Sequence, residues 1–141
     1  MSEGPVLRRA EGLNVLIVDD DKALLEVLTT LLRQEGHNAV AVTSAYEGFD
    51  LMGDQQFDLV LADLKMRRMN GLELLEAEKI RHPEARIVIM TAYGTVDSAV
   101  QALRFGAYDF LTKPFKLTDL RAIIQRVQQQ KRAATSRPVG A

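Results

Sequence analysis

Cysteine is absent from all 141 residues, which excludes disulfides and thiolate metal sites and suits a cytoplasmic home. Histidine is scarce: only His37 and His82 occur, both in helix-end or loop contexts, which argues against a zinc centre. No apolar run approaches the length of a membrane span, and residues 1–12 carry two arginines but no hydrophobic signal core. An excess of either charge is also missing. With 18 Lys and Arg against 19 Asp and Glu, no global field draws the chain to nucleic acid or anionic lipid, and neither direct nucleic-acid binding nor membrane attachment is expected.

With 47% apolar residues, the chain can bury one ordinary core and has little length for a second. Four short apolar runs carry the fold signal: Val15–Val18, Leu59–Ala62, Ile87–Met90 and Tyr108–Leu111. Continuous rather than alternating apolar residues suit parallel strands covered on both faces by crossover helices. A weaker run, Ala39–Val42, reads as an edge strand. Helical spacing fills each gap. Leu24, Leu28, Leu31 and Leu32 recur after the first strand, with Asp21 as N-cap and Gly36 as C-cap. Val96, Ala99, Val100 and Leu103 form a later apolar stripe, and Leu120, Ile123, Ile124 and Val127 form the last. The expectation is a five-fold βα repeat with helices near 21–35, 44–53, 71–81, 95–105 and 117–132. Residues 1–12 are expected to be a flexible N-terminus, 13–132 one domain, and 133–141 a flexible tail or the start of a linker.

Each principal run ends in a polar residue: Asp19, Asp63, Thr91 and, after Thr112, Lys113. In a parallel sheet all four emerge on the carboxyl edge, where open α/β sheets bind ligands. Asp19, Asp20 and Asp63 would then crowd carboxylates together, and such groups resist joint ionisation unless a cation joins them. A hard divalent ion, Mg²⁺ with Mn²⁺ as its substitute, fits oxygen donors of this kind. A carboxylate nucleophile beside that ion, with a hydroxyl and a lysine to hold phosphoryl oxygens, is an arrangement for phosphoryl transfer. Asp63 is the best nucleophile because its strand is central. Taken singly, each residue has an ordinary reading: Asp20 and Asp21 as helix caps, Thr91 as a turn, Lys113 as a solvated charge. Four such accidents at four strand ends in this order are a poor joint explanation. Asp58 and Asp109 lie at strand starts or interiors and read as structural, Met52, Met66, Met69 and Met90 as core filler, and Gln128–Arg132 as a solvated helix end.

At Val18-Asp19-Asp20-Asp21, Asp63-Leu64-Lys65-Met66, Met90-Thr91-Ala92 and Lys113-Pro114-Phe115 the sequence resembles a response-regulator receiver domain of two-component signalling. The likeness covers about residues 13–130. Gly106–Phe115, with Thr91–Gly94 before it, is most similar to the NtrC-like subfamily. This resemblance implies a flavodoxin-like doubly wound fold with strand order 2-1-3-4-5. It further implies that Asp63 accepts phosphate from a sensor histidine kinase, with Mg²⁺ held by Asp19 or Asp20, Asp63 and the Lys65 carbonyl. Thr91 and Lys113 would hold phosphoryl oxygens, and the Lys113–Pro114 peptide would be cis. The resemblance makes Phe110 the switch aromatic that moves inward with Thr91, reshaping the face of the fourth helix, fifth strand and fifth helix. That face is also where receivers often form homodimers. Phe110 lacks the ring hydroxyl of the tyrosine common at this position, so only apolar burial favours its inward state. Lys65 and Tyr93 occupy positions that tune phosphate hydrolysis in the family.

Such a domain catalyses only its own phosphorylation and dephosphorylation. Its NtrC-like relatives usually continue into output domains that activate transcription, so this chain is either an excised receiver or a stand-alone regulator. One departure is Arg67-Arg68, where the family usually has a proline-containing loop. The change frees the backbone and adds positive charge near the phosphoryl group or a kinase-docking face, or else marks a plain solvated loop. Two rivals compete with the receiver reading. A haloacid-dehalogenase-like phosphatase would use the Asp-x-Asp of Asp19 and Asp21, but has Ala23 where threonine or valine is wanted and leaves Asp63 idle. A pseudo-receiver would bind its partner without phosphate.

Overall fold

The computed structural model describes residues 12–66, 68–92 and 95–136. Five strands alternate with five helices: β1 (Asn14–Val18), α1 (Lys22–Gln34), β2 (Asn38–Val42), α2 (Ala45–Asp54), β3 (Leu59–Asp63), α3 (Gly71–Arg81), β4 (Ile87–Thr91), α4 (Val96–Arg104), β5 (Asp109–Thr112) and α5 (Leu117–Ser136). The strands form one parallel sheet in the order β2-β1-β3-β4-β5, the doubly wound, flavodoxin-like arrangement expected from the sequence. Two expectations shift at their edges. The last strand begins at Asp109 rather than Tyr108, and the last helix continues to Ser136, into the stretch read as tail, because Gln130 and Lys131 are tied back to the sheet.

Residues within each apolar strand alternate between two cores, which is why the runs are unbroken. Val15 and Ile17 of β1, with Leu59 and Leu61 of β3, pack under α1 and α5, against Leu25, Leu28, Leu32, Leu120 and Ile124. Leu16, Val18, Val60 and Ala62 face the other way, toward Met52 of α2, Leu74 and Leu75 of α3 and Ala102 of α4. The buried stripe of α1 is Leu25, Leu28 and Leu32; Leu24 and Leu31 are only half-buried, a one-position rotation from the expected stripe. Asp21 caps the start of α1 by accepting from the Leu24 N–H; at its end the C-cap is Glu35, and Gly36, expected as the cap, follows it at φ +93°, a left-handed conformation that glycine adopts freely.

The stripe expected to seat α4 does not face the core. Val96 is 79% exposed, Leu103 51% and Val100 42%, and Ala102 is the fully buried residue of the helix. Periodicity locates an apolar face but not what covers it, and α4 is secured instead by Ala102 and by a capping box in which Thr95 and Ser98 bond reciprocally.

Candidate phosphoacceptor site

Asp63 ends β3 and Thr91 ends β4, while Asp19 directly follows β1 and Lys113 directly follows β5. Pairing aligns these ends: Asp63 lies opposite Met90, and Thr91 opposite Thr112. The loops are stitched at the same level. Asp19 N–H donates to the Val42 carbonyl, Leu64 N–H to Met90, and Lys113 N–H to Thr91. Parallel register thereby brings residues 94 positions apart into one cleft.

Within the cleft, Lys113 Nζ lies 2.6 Å from Asp19 Oδ2 and 3.5 Å from Asp63 Oδ2. The other Asp19 oxygen accepts the Asp21 N–H at 2.9 Å, and Asp63 Oδ1 accepts the Lys65 N–H at 3.3 Å. Asp19 and Thr91 are fully buried, Asp63 is 7% exposed, and Asp20 is exposed. Oxygens of Asp19, Asp20 and Asp63 all lie within 4.8 Å of one another. Burial and then the Asp19 charge push the Asp63 carboxyl above its usual range, with Lys113 and the Lys65 N–H pulling the other way. For Lys113, burial disfavours the ammonium, but Asp19 and then Asp63 more than offset it and raise the pKa. One lysine therefore faces two buried carboxylates and only partly relieves them. Three converging hard oxygen donors and this residual repulsion fit a divalent ion such as Mg²⁺.

Replacing Lys113 by methionine tests that balance. The variant is expected to lose about 2 kcal/mol of stability at pH 7 without metal, because Asp19 is left buried and unpaired, and to bind Mg²⁺ several-fold more tightly. Denaturant titrations and calorimetry with and without Mg²⁺ measure both, and equal Mg²⁺ affinity in the two proteins would count against the repulsion.

Among the remaining residues singled out by sequence, Phe110 sits on β5, half-buried against the core on the α4 side of the sheet. Lys65 contributes its N–H to Asp63. Arg68 has φ +62° and lines an open cleft of about 620 Å³ with Asp20, Thr43, Ser44 and Tyr46. Arg67 and Tyr93 lie outside the described residues. The Lys113–Pro114 peptide is cis. Asp58 accepts from the Asn14 N–H and Lys131, and Asp109 from Arg126. His37 is buried, its Nδ1 accepting from the Leu13 N–H, and His82 sits against Glu78, so neither approaches the acidic cluster. The sequence reading gave no role to Gly71. A Cβ there would stand 2.4 Å from the Asp63 carbonyl oxygen, and the Gly71 N–H donates to Leu64. Its legible signal was the capping box, Asn70 followed three residues later by Glu73, with glycine directly after the cap.

Residues 15–125 match the response regulator receiver domain family. The chain belongs to that family. It is 43% identical over 112 residues to the response regulator protein FleR of Pseudomonas aeruginosa, covering 79% of this chain and 24% of FleR. Among solved structures, NtrX from Brucella abortus superposes with a TM-score of 0.78 at 32% identity, covering 88% of this chain and 29% of NtrX. The beryllofluoride-activated NtrC4 receiver domain dimer gives 0.78 at 28% identity, covering 82% and 96%. The receiver is of the NtrC-like type, as its β4 and β5 motifs implied, and the chain spans about a quarter of the length of the curated relatives it matches. Asp21 caps α1 through the Leu24 N–H, while Asp19 is held by Lys113.

Proposed function

We propose that this receiver accepts a phosphoryl group on Asp63 from a phosphohistidine of a sensor histidine kinase, in a Mg²⁺-dependent reaction. The observation that carries the reading is the convergence of Asp19, Asp20 and Asp63 within 4.8 Å, with Lys113 reaching both buried carboxylates. An Asp63 oxygen attacks phosphorus, the P–N bond breaks, and its electron pair leaves with the imidazole. Asp19, Asp20, Asp63 and the Lys65 carbonyl would hold the divalent ion, which when bound neutralises charge on the phosphoryl oxygens. Lys113 holds one phosphoryl oxygen, and the Thr91 hydroxyl draws the loop after β4 toward another. The same site returns the phosphate to water; the protein turns over no external substrate.

The output surface in this reading is α4-β5-α5. Its support is the outward apolar stripe of α4, Val96, Val100 and Leu103, since apolar side chains exposed on one helix face suit an interface. Phe110 moves inward as the loop after β4 closes, and a second copy or an output domain meets the reshaped face. A solved dimer of the similar NtrC4 receiver supports the homodimer, and the greater length of FleR and ZraR supports an output domain controlling transcription in a longer protein. Such a protein works in the cytoplasm. Among the described residues no helix is long and apolar enough to cross a membrane.

The test is incubation with acetyl phosphate and Mg²⁺, read by intact mass. One phosphoryl adduct, which does not form when EDTA is present from the start, is the expected result. No adduct on folded protein would overturn the proposal in favour of a receiver that binds its partner without phosphate.

A further inference from the structure

Among the described residues β5 is an outer strand of the sheet and pairs only with β4, so part of its backbone must find partners elsewhere. Asp109 supplies one. Its Oδ1 accepts the backbone N–H of Phe110 at 2.7 Å, while its Oδ2 accepts from Arg126 of α5 at 2.8 Å. The Arg126 guanidinium also lies 5.2 Å from the centre of the Tyr108 ring. One turn further along α5, Gln130 Oε1 accepts from the Tyr108 hydroxyl at 2.9 Å and from Arg86 at 3.2 Å. Two successive turns of α5 thus grip the two residues that precede Phe110.

The two oxygens of Asp109 serve different ends of this chain of bonds. One is tied to the backbone of Phe110 and the other to a helix that is itself fixed by Leu120, Ile123, Ile124 and Val127 in the core. A backbone change at Phe110 would turn the Asp109 carboxylate through its bond to the Phe110 N–H and so disturb the bond to Arg126. We infer that Arg126 is a positioning residue for the switch: acting through Asp109, it sets how readily Phe110 leaves the seat it occupies in this structure. The inference rests on the proposed reading that Phe110 moves when Asp63 is phosphorylated. Its magnitude is that of a half-exposed ion pair, enough to bias a balanced equilibrium but not to lock it.

The experiment places 4-fluorophenylalanine at position 110 of the whole chain and follows its ¹⁹F signals with Mg²⁺ and a fixed, subsaturating concentration of beryllofluoride as the phosphoryl analogue. Arg126→Ala is expected to raise the switched fraction relative to the unswitched by about two- to fivefold, the range for losing an exposed pair. Asp109→Asn should do the same, the double variant should add nothing further, and Arg126→Lys should return toward the parent. Arg121→Ala is the control, because Arg121 is on the same helix and similarly exposed but pairs at 2.6 Å with Glu35 rather than with Asp109. An unchanged ratio in Arg126→Ala, or an equal change in Arg121→Ala, would overturn the inference. If saturating beryllofluoride moves no signal in the parent while acetyl phosphate still gives the mass adduct, the inference falls and the acceptor reading stands. Absence of the adduct itself would strike the acceptor reading.

Discussion

Asp63→Asn is expected to abolish the Mg²⁺-dependent phosphoryl adduct, by at least about 100-fold, because an amide is not a nucleophile toward phosphorus. The same substitution should stabilise the metal-free protein. In the folded state burial and Asp19 raise the Asp63 pKa above its ordinary value near 3.8. The fold therefore holds that proton more tightly than the unfolded chain does. The stability this contributes is present at low pH and is lost as pH rises from about 4 through the raised folded value, leaving ionised Asp63 as a net cost at neutrality. Asparagine keeps an oxygen for the Lys65 N–H and carries no charge, so the variant should gain about 0.5–2 kcal/mol at pH 7, as relief of a strained functional site commonly does. The gain should shrink below pH 4, where the parent is already protonated, and with Mg²⁺, which binds the parent's extra carboxylate more strongly than the amide. Thermal melts at pH 3.5 and 7, with and without Mg²⁺, check the stability, and intact mass checks the adduct. An adduct surviving on Asp19 would revive the phosphatase chemistry that the family assignment displaced.

Gly71→Ala is expected to damage the reaction from a residue that bears no functional group. The added methyl carbon would meet the Asp63 carbonyl oxygen at 2.4 Å and its carbon at 2.9 Å. Both are backbone atoms and cannot rotate aside. Either the end of β3 or the start of α3 must move. The second is restrained by the Asn70–Glu73 capping box and by the Gly71 N–H to Leu64, so much of the shift falls on Asp63. Forcing a methyl group into a filled site costs about 1–3 kcal/mol, and a displacement approaching 1 Å at a reacting atom can cost about 100-fold in rate. A fall of about that size in the rate of adduct formation, in a protein that still melts cooperatively, is the expected outcome. Gly53 provides the contrast: its nearest would-be neighbour is the end of the Arg81 side chain, not the backbone of Asp63, so Gly53→Ala should leave the rate unchanged. Equal rates in Gly71→Ala and the parent would show that the carbonyl of Asp63 does not position its side chain.

Local pattern was enough to read the βα alternation and the strand-end positions of Asp19, Asp63, Thr91 and Lys113, whereas the strand order came from the receiver likeness. These features repeat over a few residues: strand runs are short, caps lie within one turn, and a polar residue after an apolar run announces itself. The Asp21 cap and the four buried residues that seat α5 were legible for that reason. The α4 stripe shows where this kind of reading stops. Val96, Val100 and Leu103 have helical spacing whether the stripe meets the sheet or solvent, and only the packed molecule reveals that Ala102 takes the inward place.

By itself, the sequence determined which chemical groups stand at the carboxyl edge, because parallel crossovers return every strand in the same sense and leave its end on the same side. Tertiary structure alone decided how those groups pair. Lys113 lies closer to Asp19 than to Asp63, Gly71 abuts the backbone of Asp63, and Arg126 reaches Asp109, which accepts the Phe110 N–H. The reason is one of range: spacing along the chain orders neighbours within a strand or turn, whereas a contact across 94 residues depends on sheet register and loop closure to within an ångström.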